Sequence, residues 1–317
     1  MSATVSTATG PVAVTALGRT LMHEHVFTFH SDVGGDYRWT DEEVYIDSAV
    51  DKLTRLRQAG ISTLIDLTVF GLGRNVARVA RIADRAKINV IVATGLYTLG
   101  ELPGYFREEL KASGPAFLED LFVREIRDGI ADTGIRPAVI KCCTDRLGLT
   151  PDVETVLRSA ARAQRRTGVP ISTHTNPKFR TGLVQQRIFR QEGVSLDRVV
   201  IGHCDGADDL DYLEQLLEAG SYLGLDRFGN GPDDARVATV AALCRRGYAS
   251  RLVLSHDARC GGDIRPEKWL REWRYGHIPT TVVPALLAAG IAPAELELML
   301  VRNPRTIFEG SSPTRET

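Results

Sequence analysis

The stretch Leu21-Met22-His23-Glu24-His25-Val26-Phe27 sets two histidines two residues apart, directly after a short apolar pair. In an extended chain, residues two apart point to the same side, so both imidazoles face one point while Glu24 turns away. Two neutral imidazole nitrogens aimed at one point suit a divalent cation. Alone, a His-x-His pair is weak, because most such pairs are surface or hydrogen-bonded histidines. Its weight comes from the rest of the chain.

Four other short β-branched runs end at or near a group able to bind metal: Lys141 in AVIKCC, His174 in ISTHT, His203 in VVIGHC and Asp257 in LVLSHD. They belong to a series of eight strand candidates, at 20–27, 63–69, 89–95, 138–143, 171–175, 199–204, 222–227 and 252–256. Their apolar content is nearly continuous in most cases, as expected of parallel strands buried on both faces. Helical patterns lie between them at 41–59, 75–87, 117–132, 152–167, 182–192, 208–219 and 235–246, and two more close the chain at 280–289 and 293–301. Thr150-Pro151-Asp152 opens one helix, and Gly168 and Gly193 follow the ends of two others. Eight strand–helix units in this length predict an α/β fold, a (β/α)8 TIM barrel; an open doubly wound sheet is the second reading. Residues 1–18 precede the first barrel strand and are expected to form a short hairpin over the barrel's base.

With no linker rich in Pro, Gly or Ser, one domain over residues 1–317 is the simpler organisation. Apolar residues make up 43% and charged residues 25%, a composition able to bury a sizeable core. Net charge is −1 with scattered Lys and Arg, which gives no footprint for nucleic acid or anionic lipid. The five cysteines are odd in number and lack C-x-x-C spacing, which argues for free thiols in a reducing compartment. The opening residues carry no secretion signal and no apolar run approaches a membrane span, so a cytoplasmic location is the expectation.

A barrel aligns the C-terminal tips of its strands, so His23, His25, Lys141, His174, His203 and Asp257 would gather at one end. Taken singly, each reads as well as a capping or core polar group; taken together they read as a metal site. Lys141 is the odd member, flanked by Ile140 and Cys142 on a buried strand. A buried ammonium is costly unless paired. A structural salt bridge is one answer. The other is that the neutral amine combines with CO2 to give a carbamate, a two-oxygen anion able to bridge two metals. One metal would then take His23, His25 and Asp257, the other His174 and His203, with carboxylated Lys141 across both. Two such cations at roughly 3.5–4 Å share a hydroxide of lowered pKa, which is the equipment of a hydrolase. Asp257 would both ligate and accept a proton.

These residues resemble the phosphotriesterase family of the amidohydrolase superfamily over essentially the whole chain. The matching stretches include LGRTLMHEHVF, TLIDLTVFGLGR, AVIKCCTD, GVPISTHT, VVIGHCD, GSYLGLDRFG and LVLSHDARC. The resemblance implies a binuclear centre held by His23, His25, N6-carboxylated Lys141, His174, His203 and Asp257, with zinc first among the metals and cobalt, manganese or iron as alternatives. It is closest to the phosphotriesterase-like lactonases, which have a tyrosine after strand three, met by Tyr97 in TGLYT, and Asp-Arg after strand seven, met by Asp226 and Arg227. Lactone hydrolysis is therefore the implied activity, N-acyl-homoserine lactones or other γ- and δ-lactones being candidates, with phosphotriesters as a side reaction. A dedicated phosphotriesterase, or an amidohydrolase acting on cyclic amides or esters, is the alternative; a non-catalytic barrel stabilised by metal ranks below both. The implied partners are a small-molecule lactone or organophosphate and a second copy in a homodimer.

The chain departs from the family at two places. An aspartate usually stands three residues after the strand-six histidine; here the segment is His203-Cys204-Asp205-Gly206, which puts a proton relay there in question unless Asp205 substitutes. The loops after strands seven and eight, 228–234 and 258–276, look shorter than in lactonases that accept long acyl chains. Trp269, Trp273 and Tyr275 either line an apolar pocket there or pack on helices. Gly71-Leu72-Gly73-Arg74 reads as a tight turn, since it lacks the third glycine of a nucleotide fingerprint. Cys142, Cys143 and Cys260 read as buried packing thiols. His30, His256 and His277 are left over, and His256 points away from Asp257 if the strand continues.

Overall fold

The computed structural model describes residues 3–29, 42–262 and 273–310. His30, Trp269, the first residue of the helix expected at 41–59 and much of the 258–276 loop lie outside them. An antiparallel hairpin, β1 (Thr4–Thr7) and β2 (Gly10–Ala13), comes first. Eight parallel strands follow: β3 (Thr20–Glu24), β4 (Thr63–Asp66), β5 (Asn89–Gly95), β6 (Val139–Cys143), β7 (Ile171–His174), β8 (Val199–Ile201), β9 (Tyr222–Leu225) and β10 (Leu252–Leu254). Each pairs with the next in chain order. Asp257 N–H to His23 O (3.1 Å), His25 N–H to Ala258 O (2.9 Å) and a bridge between Phe27 and Gly261 join the last strand's exit to the first and close the barrel.

Glu24 reinforces that seam. Its side chain, fully buried, accepts from Ser255 Oγ (2.7 Å), His256 N (2.9 Å) and His256 Nδ1 (2.7 Å) with one oxygen, and from Ala258 N (2.8 Å) with the other. His256 is thereby spent outside the barrel mouth, and its Nε2 accepts from Ile278 N–H at 2.7 Å.

Helices wrap the barrel: α1 (Glu42–Gln58), α2 (Val76–Ala86), α3 (Gly104–Ser113), α4 (Phe117–Asp128), α5 (Pro151–Thr167), α6 (Thr181–Gln191), α7 (Leu210–Glu218) and α8 (Asp234–Arg245). Their starts are chemical. Asn75 accepts from Arg78 N–H (2.9 Å), Thr150 from Val153 N–H (3.2 Å) and Asp209 from Tyr212 N–H (3.0 Å), each side chain satisfying an amide of a first turn that has no intrahelical partner. α3 has no counterpart in the sequence pattern, because its Pro103 entry lacks a capping side chain and only Phe106 is buried. The closing helices also run further than expected: a π-helical turn at Leu298–Arg302 carries the chain without a break into Asn303–Glu309, and Pro304, which has no N–H to give, follows that turn.

One apolar cluster lies between strands and helices, with Leu64, Val90, Ile140 and Leu254 among its members. A second fills the barrel and plugs its base: Met22, Ile65, Ile91, Val139 and Val253 from strands, with Val5, Val14 and Leu17 from the N-terminal segment. The functional end lies above this second cluster. Several strands stop short of the sequence expectation, β3 at Glu24 rather than 27 and β10 at Leu254 rather than 256. These strand ends carry the polar side chains described next.

Candidate metal centre

Strand β3 is not a uniform ribbon. Its register with β4 shifts between Leu21 and Glu24, a β-bulge. Met22 in the barrel filling and His23 in the site therefore fall on the same side, although they are consecutive. From His23 the period of two resumes, bringing His25 inward as well.

The expected residues converge. His23 Nε2 lies 2.8 Å from Lys141 Nζ and 3.8 Å from Asp257 Oδ1; His25 Nε2 lies 3.2 Å from the same carboxylate oxygen. His203 Nε2 faces His174 Nδ1 at 2.8 Å. Tyr97 sets its ring edge-on to His174, with centroids 5.5 Å apart. Arg227 Nη1 is 3.4 Å from Asp257 Oδ2. Among the described residues, two trios have ligand atoms all within 4.8 Å of one another: His23, His25 and Asp257, and His23, His203 and Asp226.

The backbone bends to achieve this. His203 and Asp257 adopt φ of 62° and 53°, left-handed values that cost a non-glycine residue strain and cluster at functional sites. The residue before His203 must also be glycine: a Cβ on Gly202 would sit 2.1 Å from Thr173 O and 3.2 Å from both His23 Nδ1 and Asp226 Oδ2. Gly95, at φ 127°, is equally constrained, since a Cβ there would sit 1.9 Å from the carbonyl oxygen of Lys141.

Two carboxylates organise the histidines: Asp226, which the sequence marked only through the family resemblance, and Asp145, which it did not single out. Asp226 straddles two of them, with Oδ2 2.7 Å from His23 Nδ1 and Oδ1 2.6 Å from His203 Nδ1. Asp145 lies 2.8 Å from His174 Nε2 and is itself held by Asn176 Nδ2 at 2.7 Å. Both carboxyls are held below their usual range, Asp226 by His203 and His23 against its burial, Asp145 by the His174 hydrogen bond. Ionised carboxylates only accept, so these histidine nitrogens bear the hydrogens. His25 follows the same rule through a hydroxyl: Thr68 Oγ1 gives its hydrogen to Asp66 Oδ1 (2.5 Å) and receives His25 Nδ1–H at 2.9 Å. The only advance signal for Asp145 was its place in KCCTD, just past a strand tip.

These tautomers test whether the residues suit metal. Arg227 Nε also stands 3.0 Å from His203 Nδ1, but the ionised Asp226 oxygen is nearer, at 2.6 Å, and takes the hydrogen of Nδ1. With Nε2–H of His174 and Nδ1–H of His203 so committed, the two nitrogens 2.8 Å apart are both bare lone pairs. His25 Nε2 and Asp257 Oδ1 are likewise two acceptors in contact. No proton joins either pair, and a cation is what such a donor set fits. Burial keeps the imidazoles neutral: desolvation lowers the pKa of His23 and His174, and pushes that of His203 down to about 3, aided by the nearby Arg227 charge. Burial also brings Lys141 down to about 8, against the opposing charges of Asp257 and Asp226.

The profile of the phosphotriesterase family matches residues 3–308. The chain belongs to that family. Among its relatives, a phosphotriesterase homology protein of Mycobacterium tuberculosis is 49% identical, the alignment covering 96% of this chain and 97% of the other. An aryldialkylphosphatase of Saccharolobus solfataricus is 34% identical over 92% of this chain and 95% of its own. The solved structure of the phosphotriesterase from Mycobacterium tuberculosis superposes with a TM-score of 0.90 at 47% identity, covering 97% of this chain and 98% of that one.

Within this phosphotriesterase-family site, Asp205 stands behind Asp226 and Arg227. Its two oxygens accept from Asp226 N–H (3.0 Å) and Arg227 N–H (2.8 Å), and Arg236 Nε lies 3.3 Å away. It clamps the main chain that presents Asp226 and Arg227. The aromatics also resolve. Trp273 donates from its indole to Lys52 O (3.2 Å) under the Arg55 guanidinium, and Tyr275 is fully buried with its hydroxyl on His25 O, so both pack rather than line a pocket. The thiols of Cys142, Cys143 and Cys260 are buried, and burial raises all three above the ordinary thiol range. His277 pairs with Asp233, tying the segment after β9 to the chain past residue 273.

Proposed function

We propose that the protein is a binuclear metal-dependent hydrolase that opens lactones, with phosphotriester cleavage as a secondary activity. The observation that carries this reading is the facing pair of bare nitrogens, His174 Nδ1 and His203 Nε2, beside the Asp257 carboxylate and the buried Lys141 amine. His23, His25 and Asp257 would hold one cation, His174 and His203 the other, and Lys141 would serve both as its carbamate. Zinc suits the nitrogen-rich set, and cobalt, manganese or iron would also be accepted by it.

A lysine with a pKa near 8 keeps a substantial neutral fraction near that pH, and the neutral amine is the form that adds to CO2. The new N–C bond costs the amine one proton, and the product is an anion in place of a buried cation. When bound, the metal pair would activate a water and polarise the oxygen of the scissile group. Asp257, ionised beside the Arg227 guanidinium, accepts the attacking water's proton at Oδ1. Arg227 holds the other oxygen and thereby its orientation. Tyr97, whose phenol is pushed up by burial, stays protonated and offers a hydrogen bond at the His174 side of the mouth.

Tyr97 and Arg227 at these two places support lactones over triesters. The test is kcat/KM of the metal-loaded protein on γ- and δ-lactones, a paraoxon-like triester and cyclic amides. Lactones should lead and triesters follow. Cyclic amides turned over as well as lactones, or triesters ahead of both, would overturn the choice.

A further inference from the structure

The two carboxylates behind the histidines divide their work unequally. Asp226 serves His23 and His203, one from each proposed cation position, whereas Asp145 touches His174 alone. We propose that Asp145 is a positioning residue dedicated to the His174–His203 position, and that it sets the occupancy of that position without setting that of its neighbour. This rests on the binuclear reading above.

The geometry supports a built device. Asp145 stands four residues after Lys141, where β6 has ended, and its Oδ2 lies 2.8 Å from His174 Nε2. Its Oδ1 is fixed from two directions, by Asn176 Nδ2 at 2.7 Å and by the Arg146 amide at 2.5 Å. Asn176 follows the β7 tip that carries His174, so carboxylate and ring are tied across adjacent tips. Fixing Nε2 as the hydrogen-bearing nitrogen leaves Nδ1 bare, and Nδ1 is the atom that faces His203 Nε2. A histidine ligand whose far N–H meets a carboxylate is oriented and more basic, and loss of such a partner typically weakens metal binding about 10–100-fold. His23 and His25 take no support from Asp145: their far nitrogens go to Asp226 and Thr68.

The test is metal binding rather than turnover. Apo protein would be titrated with zinc, and with cobalt as a spectroscopic reporter, in wild type, Asp145→Ala, Asp145→Asn and Thr68→Ala. Asp145→Ala should bind one equivalent as wild type does and the second about 10–100-fold more weakly. Asp145→Asn, which keeps an acceptor but not the charge, should fall between. Thr68→Ala should weaken the other equivalent, giving the mirror pattern. Two equivalents bound with unchanged affinity in Asp145→Ala would overturn the proposal. So would equal weakening of both equivalents, which marks a general structural role. A wild-type chain that binds at most one equivalent would instead sink the binuclear reading itself.

Discussion

The two ends of this barrel are built on opposite terms. At the base, Val5, Val14 and Leu17 plug an apolar interior, and polar groups there go to main chain, as where Thr63 Oγ1 bonds Leu17 O at 2.6 Å and Ala8 N–H bonds Val90 O at 2.8 Å. At the mouth, four imidazoles, a lysine and Asp226 are buried together beside the partly buried Asp257, and His203 and Asp257 stand at positive φ. Nothing in the folding of an apolar barrel calls for that crowd. Burying polar and charged groups is unfavourable, and backbone strain adds on the order of 1–3 kcal/mol per residue. The mouth is a region that the rest of the fold holds in place, and the contrast is sharpest wherever one end can be altered without the other.

Lys141 gives the largest expected effect. Lys141→Ala removes the group proposed to join the two cation positions, so bound metal should drop and turnover should fall by a factor on the order of 1,000, the scale of several kcal/mol of lost charge stabilisation. Short carboxylates added in excess should restore part of both. Elemental analysis beside kcat/KM measures this, and full activity without supplement would remove the bridging role.

Asp226 comes next, because one carboxylate supports two histidines. Asp226→Ala leaves the Nδ1–H groups of His23 and His203 without an acceptor, and the His203 amide as well, which it holds at 2.9 Å. Both metal equivalents should weaken, each by up to about 100-fold. Equilibrium metal titration distinguishes this from the one-sided loss expected of Asp145.

How much of this could be read in the sequence differs by region. The strand order and the convergence of His23, His25, Lys141, His174, His203 and Asp257 follow from a period of two and from strands ending alike, and both are written locally. The bulge that turns Met22 and His23 to one side is not, because it depends on the register with β4. Asp145 carried no local mark of its task, and Asp226 was marked only by the resemblance: carboxylates just past strand tips are common, and what these two touch is settled only when β6 meets β7 and β8 meets β9. Asp205 shows the reverse. Its spacing drew attention to it as a relay, and the fold adds what no spacing shows, its hold on the amides of Asp226 and Arg227.

Tyr97→Phe is a milder perturbation of the mouth. The ring contact with His174 survives, so both metals should stay bound, while the lost hydroxyl shifts the ratio of lactone to triester turnover by about threefold to thirtyfold, roughly one hydrogen bond's worth. Metal analysis together with the two kcat/KM values checks both halves of the statement, and loss of metal would return Tyr97 to a structural part.

The smallest expected effect on turnover lies at the base, and it is the sharpest test of the contrast. Leu17 is fully buried in the interior cluster, while its carbonyl, which receives Thr63, is main chain and survives substitution. Leu17→Ala should therefore cost about 2–5 kcal/mol through lost burial and the cavity left behind. Between that cavity and the mouth lie the interior side chains Ile65, Ile91 and Val253, and close-packed layers of this kind absorb a deletion over short range. Chemical denaturation should show the loss in full, with metal stoichiometry and kcat/KM at 25 °C matching wild type. If turnover fell along with stability, base and mouth would be one cooperative unit, and the strain at His203 and Asp257 would be balanced by packing at the far end of the barrel rather than by the carboxylates and glycines around it.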